Sequence, residues 1–206
     1  RRREPGRRPV NLRVKSFFLL WSALLALLLF LPVAARADAG AVSVGSDRPA
    51  VEIAAQAEYL LDPSGRLEYG DIAGGHLPFH RHAKTSFQFS FQRATLWFKC
   101  RIAPAVPGAD DPLASRRSFL VFDNAALGSI TLYVPVVENG KPGLVTLTGG
   151  WQQGDKSKEF PFLYPTFALP DAIDASRPVI VRVATPFALQ FRATLYTIDA
   201  FRESSF

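Results

Sequence analysis

The stretch Ala94-Thr95-Leu96-Trp97-Phe98-Lys99-Cys100-Arg101-Ile102 decides the fold. Leu96, Phe98, Cys100 and Ile102 alternate with Trp97, Lys99 and Arg101, a period of two that sends one set to a core and the other to the opposite face of a strand. Upstream, Phe87, Phe89 and Phe91 alternate in the same way with Ser86, Gln88, Ser90 and Gln92. Downstream, Ser118–Phe122 is apolar, Ile130, Leu132 and Val134 alternate with Thr131 and Tyr133, and Leu144–Leu147 is a shorter candidate. Val179, Val181 and Val183 come next, and then Leu189, Phe191, Ala193 and Leu195 alternate with Gln190, Arg192, Thr194 and Tyr196. Turn residues punctuate these runs: Asp62-Pro63-Ser64-Gly65 reads as a tight turn, and Glu138-Asn139-Gly140-Lys141 carries the Asn-Gly signal of a two-residue hairpin. About seven to nine short strands in roughly 150 residues predict an all-β fold, a jelly-roll-like β-sandwich.

The segment ahead of the sandwich is of another kind. Phe17–Leu31 is an almost unbroken apolar run after a basic stretch, and Ala34, Ala35, Ala37 and Ala39 come after it. This is the pattern of a secretory signal peptide cut after Ala37 or Ala39; an uncleaved anchor would want about 20 apolar residues. The expected organisation is a leader over 1–37, a linker over 38–51, the sandwich over 52–202 and a stub over 203–206. The net charge of +6 belongs to the leader, which holds eight of the 24 basic residues and one of the 18 acidic ones. The remainder is close to neutral, which argues against nucleic acid as a partner. Cys100 is the only cysteine, so a disulfide framework is excluded, and its apolar surroundings predict a buried thiol. The sequence has no methionine, initiator included, so the chain is expected to be a piece of a longer reading frame.

Candidate binding residues come from the faces opposite the core. Trp97, Lys99 and Arg101 share one such face, and Arg182, Gln190, Arg192, Thr194 and Tyr196 share the polar face of the last strands. If the sheet joins them, one surface offers an aromatic ring for sugar stacking and cations for carboxylates, suiting an acidic saccharide or cell-wall fragment. The alternative is a solvated face on which basic side chains cover a tryptophan. Trp151, in a glycine-flanked loop before Phe160, Phe162 and Tyr164, is a second candidate. Asp123-Asn124 could bond hydroxyls or simply form a turn. His76, His80 and His82 lack a neighbouring carboxylate or thiol and read as a polar loop rather than a metal site. No Gly-x-Ser-x-Gly, His-Glu-x-x-His, P-loop or dinucleotide motif is found, so no catalytic residue and no cofactor are expected.

The residues Tyr59-Leu60-Leu61-Asp62-Pro63-Ser64-Gly65, Leu67-Glu68 and Asp71-Ile72 resemble the opening of the type 2 extracellular domain of bacterial seven-transmembrane receptors with diverse intracellular signalling modules. Ala94–Lys99, then Leu120-Val121-Phe122-Asp123-Asn124 with Leu127, Ile130, Leu132 and Tyr133, and finally Pro165–Pro170 extend the similarity in the same order. Leu96 and Lys99 stand where the family usually has Tyr and Arg, which weakens any carry-over of bidentate carboxylate binding to Lys99. The resemblance spans about 52–202 and implies a periplasmic sensor that resembles carbohydrate-binding jelly rolls. Its expected partners are a small-molecule or saccharide ligand and a membrane reached through helices beyond Phe206, with room for a homodimer. The output would be a histidine kinase, diguanylate cyclase or similar module. A self-standing secreted carbohydrate-binding module and a jelly-roll enzyme are the alternatives.

Overall fold

The computed structural model describes residues 40–90, 94–106, 117–153 and 163–204. The leader, Phe91, Asp110-Asp111, Phe160 and Phe162 lie outside these segments. Twelve strands occur among the described residues: β1 (Ala50–Glu52), β2 (Glu58–Asp62), β3 (His80–Arg81), β4 (Phe87–Phe89), β5 (Thr95–Cys100), β6 (Ser118–Phe122), β7 (Ser129–Glu138), β8 (Lys141–Gly149), β9 (Thr166–Ala168), β10 (Val179–Ala184), β11 (Leu189–Phe191) and β12 (Ala193–Thr197). Two short α-helices accompany them, α1 (Tyr69–Ala73) and α2 (Ile198–Ser204), with single 3-10 turns at Ala54–Gln56 and Trp151–Gln153.

The strands form a six-stranded sheet, β3-β2-β5-β10-β7-β8, a four-stranded sheet, β1-β12-β6-β9, and a ribbon, β11-β4, all with antiparallel pairing. The fold is the expected all-β sandwich. Phe98 of one sheet faces Phe122 of the other with ring centroids 6.4 Å apart, and Phe87, Phe167 and Phe191 complete an aromatic seam through a single core. Cys100 belongs to that core, and burial pushes its thiol up to about 12, so it acts as a small apolar side chain.

Local chemistry shapes the connections. Asn139 and Gly140 take φ of 52° and 74°, the left-handed pair that a two-residue hairpin between β7 and β8 requires. At the other turn, the Asp62 carboxylate accepts hydrogen bonds from the Ser64 hydroxyl and from the backbone N–H groups of Ser64, Gly65 and Leu67. Burial alone would raise its pKa, but these four donors hold the carboxyl below its ordinary value.

Two features depart from the sequence reading. The alternation from Leu189 to Tyr196 looks like one strand, yet it is two: β11 pairs with β4, and β12 crosses to lie between β1 and β6. The change of sheet falls at Arg192, whose backbone N–H is taken by the Asp123 carboxylate while the Asp123 N–H donates to the Arg192 carbonyl. In addition, the segment after the Asp62 turn packs onto the outer face of the six-stranded sheet. Leu67, Tyr69, Ile72, Leu77 and Phe79 cover Trp97 and Ile180 there and make a second, smaller core.

Candidate functional site

Trp97 faces away from the main core, as its alternation predicts, but it is fully buried. Tyr133 lies parallel to its ring at 6.3 Å, and Tyr69 of α1 stacks on Tyr133 at 4.5 Å. The expectation that Trp97 offers a face to a sugar is therefore corrected: segment 67–79 occupies that face, because five apolar side chains leave water by doing so. Lys99 and Arg182 share the face, with Arg182 opposite Trp97 in the β10–β5 register and its guanidinium 5.9 Å from the ring. Lys99 sits 4.2 Å over the Phe79 ring and forms a 3.0 Å ion pair with Glu58. Arg101, just after β5, is half-buried, and its carbonyl accepts from the Val42 N–H at 2.8 Å.

Arg192 is not on this surface. It belongs to the other side of the molecule, where it meets Asp123 and Asn124. The Asp123 Oδ1 accepts from the Arg192 backbone and Oδ2 accepts from Arg192 Nε at 2.8 Å, while Glu52 lies 3.7 Å from the guanidinium. The hydrogen bond to Asp123 and the charges of Asp123 and Glu52 raise the Arg192 pKa, keeping it cationic. Asn124 bridges inward, donating from Nδ2 to the Gln190 carbonyl and accepting the Ala126 N–H on Oδ1, both at 2.8 Å.

These contacts wall an open cavity of about 780 Å³ lined by Thr85, Ser86, Gln88, Asp123, Asn124, Phe187, Gln190 and Arg192, among others. The β11–β4 register sets Gln190 directly opposite Gln88, and both side chains are exposed. Phe187 is 48% exposed beside them. The cavity falls within the size range of small-ligand sites, roughly 300–1,000 Å³, and sets the exposed ring of Phe187 beside several amides and hydroxyls. Gln88, Phe187, Thr85 and Ser86 were missed as site residues because only the pairing of β4 with β11 brings them to the clamped corner. The alternating polar residues of both stretches were the available signal.

Trp151 stands near this end but does not line the cavity. Half-exposed, it donates from Nε1 to the Ala126 carbonyl at 3.2 Å, an acceptor shared with the Thr185 hydroxyl at 3.0 Å. Its loop packs so closely that a Cβ on Gly150, at φ 101°, would come within 2.6 Å of the Gly128 carbonyl oxygen. The histidines do not act together: His82 is buried and stacked on Phe87 at 4.6 Å, while His76 and His80 are exposed.

The family model 7TMR-DISM extracellular 2 matches residues 54–197, and the chain belongs to that family. It is an extracellular sensor domain of the transmembrane-receptor kind. No curated protein matches it. No helix among the described residues is long and apolar enough to cross a membrane.

Proposed function

We propose that this domain reports a neutral, polyhydroxylated small molecule of the cell envelope, a saccharide in chemical class, bound in the cavity between Gln88, Phe187, Gln190 and Arg192. The observation that carries the reading is the charge balance of the site. Arg192 is matched by Asp123 and Glu52, so the cavity has a fixed cation without a net positive charge left over for an anionic ligand. On the opposite face Lys99 is likewise matched by Glu58. These pairs favour hydroxyl recognition over the acidic saccharide that the sequence suggested. The amides of Gln88 and Gln190 each offer both a donor and an acceptor, and Phe187 supplies a flat apolar surface of the kind that stacks on a pyranose.

In the receptor, binding would change signalling only if the two output states hold the ligand with different affinity. The test is a thermal-shift series with neutral oligosaccharides, uronic-acid analogues and simple anions, read on the native chain and on Phe187→Ala. A ligand at 100 times its Kd stabilises by about 2.7 kcal/mol, which the melting temperature reports. The expected result is a saturable rise with a neutral saccharide that Phe187→Ala diminishes. A rise with anions alone, or one indifferent to Phe187, contradicts the reading.

A further inference from the structure

The sheet edges of the sandwich are treated unequally. The six-stranded sheet ends on one side at β3, two residues long and carrying His80 and Arg81; the four-stranded sheet ends at β1 and β9, of three residues each. Short or charged edges of this kind discourage strand addition. The strands of the β11–β4 ribbon are also only three residues long, but the other edge of the six-stranded sheet, β8, runs nine residues, and after Lys141 and Pro142 it carries no charge through Gly149.

The two-residue hairpin fixes which of its backbone groups are free. Glu138 and Lys141 close the turn as a hydrogen-bonded pair, so alternate residues of β8 turn their N–H and C=O groups toward β7 and the others turn them outward. The outward set is Leu144, Thr146 and Thr148, whose side chains are also exposed. Among the described residues no backbone group bonds them from the outer side.

We propose that the outer edge of β8 pairs antiparallel with β8 of a second copy of this chain, about a two-fold axis at Thr146. The strand is self-complementary in that register. Thr146 meets the partner's Thr146, and Leu144 meets the partner's Thr148, so three residues on each strand satisfy both their donors and acceptors. On the inner face Val145 lies against the partner's Leu147, which covers two half-buried apolar side chains of each copy. No like charges oppose one another. Pro142, which has no N–H to give, falls just beyond the paired segment and ends the ladder.

Cysteine cross-linking of the full receptor in cell envelopes tests this. Thr146→Cys places two thiols across the axis on Cα atoms about 5.5 Å apart, inside the roughly 4.4–6.8 Å span of disulfides. Leu144→Cys or Thr148→Cys alone would hold its thiols about 13 Å apart along the strands, whereas the double variant Leu144→Cys/Thr148→Cys brings unlike positions together. Native Cys100 is buried and contributes no background. Oxidation is expected to give a dimer band for Thr146→Cys and the double variant and little for either off-axis single variant. No band at Thr146→Cys, or equal bands at all three single positions, overturns the proposal. In detergent-solubilised receptor, Thr146→Lys sets like charges face to face and is expected to raise the dimer Kd about fivefold; an unchanged Kd likewise overturns it.

Discussion

Two aromatic surfaces of this domain meet opposite fates. On the outer face of the six-stranded sheet, Trp97 is sealed under segment 67–79, with Tyr69, Tyr133 and Phe79 around it. At the β11–β4 corner, Phe187 stays half-exposed beside Gln88 and Gln190. The difference lies in how an aspartate is used at each place. Asp62 gathers the N–H groups of the residues after it and turns an apolar stretch back over Trp97, whereas Asp123 holds the Arg192 corner and, among the described residues, no segment is folded over Phe187 in the same way. The first arrangement buries an aromatic cluster; the second leaves open the surface proposed above for the ligand.

The sharpest way to break this comparison is Trp97→Ala. Emptying a fully buried indole site should cost about 3–5 kcal/mol and lower the melting temperature by roughly 10 °C, measured by thermal unfolding. A neutral effect would mean that the cover adds nothing. Trp97→Phe sharpens the point: the indole N–H has no acceptor among the described residues, so a smaller ring that lacks it should cost clearly less than alanine.

Asp62→Ala comes next, at about 2 kcal/mol, because four donors lose their acceptor together. The sign with pH comes from its lowered pKa. The carboxylate's contribution is complete above the ordinary value of 3.8 and is lost as pH falls through the depressed folded value. Acid unfolding of the native chain should therefore be steeper below that pH than that of Asp62→Asn; parallel curves would assign the acid sensitivity elsewhere.

Asp123→Ala should cost about 1 kcal/mol in unfolding experiments and weaken saccharide binding about tenfold in titration calorimetry, since the Arg192 corner loosens. Phe187→Ala has the smallest effect on the fold, within about 0.5 kcal/mol, with a similar loss of affinity. Stability lost without affinity at Phe187 would reverse the assignment of the two surfaces.

Much of the fold was legible because it is local. The turn at Asp62, the Asn139-Gly140 hairpin and the strands at β5, β6, β7 and β10 each arise from residues adjacent in sequence. The features that escaped are long-range. Trp97 was assigned to the correct face, but its cover comes from residues some twenty to thirty positions earlier, whose apolar members sit among glycines and prolines that read as loop. Alternation is unbroken through Arg192, so nothing local announces that the strand changes sheets there. Arg192 and Lys99 are both cations on polar faces, and only strand order sets Lys99 in the six-stranded sheet and Arg192 at the junction of the ribbon with the four-stranded sheet.

Hydrogen exchange with and without the neutral oligosaccharide that gives the largest melting shift tests the central claim most directly. Binding at the open corner predicts new protection in residues 85–90, 123–128 and 186–192, with segment 67–79 unchanged. Protection concentrated in 67–79 and around Trp97, with none at the corner, would contradict it.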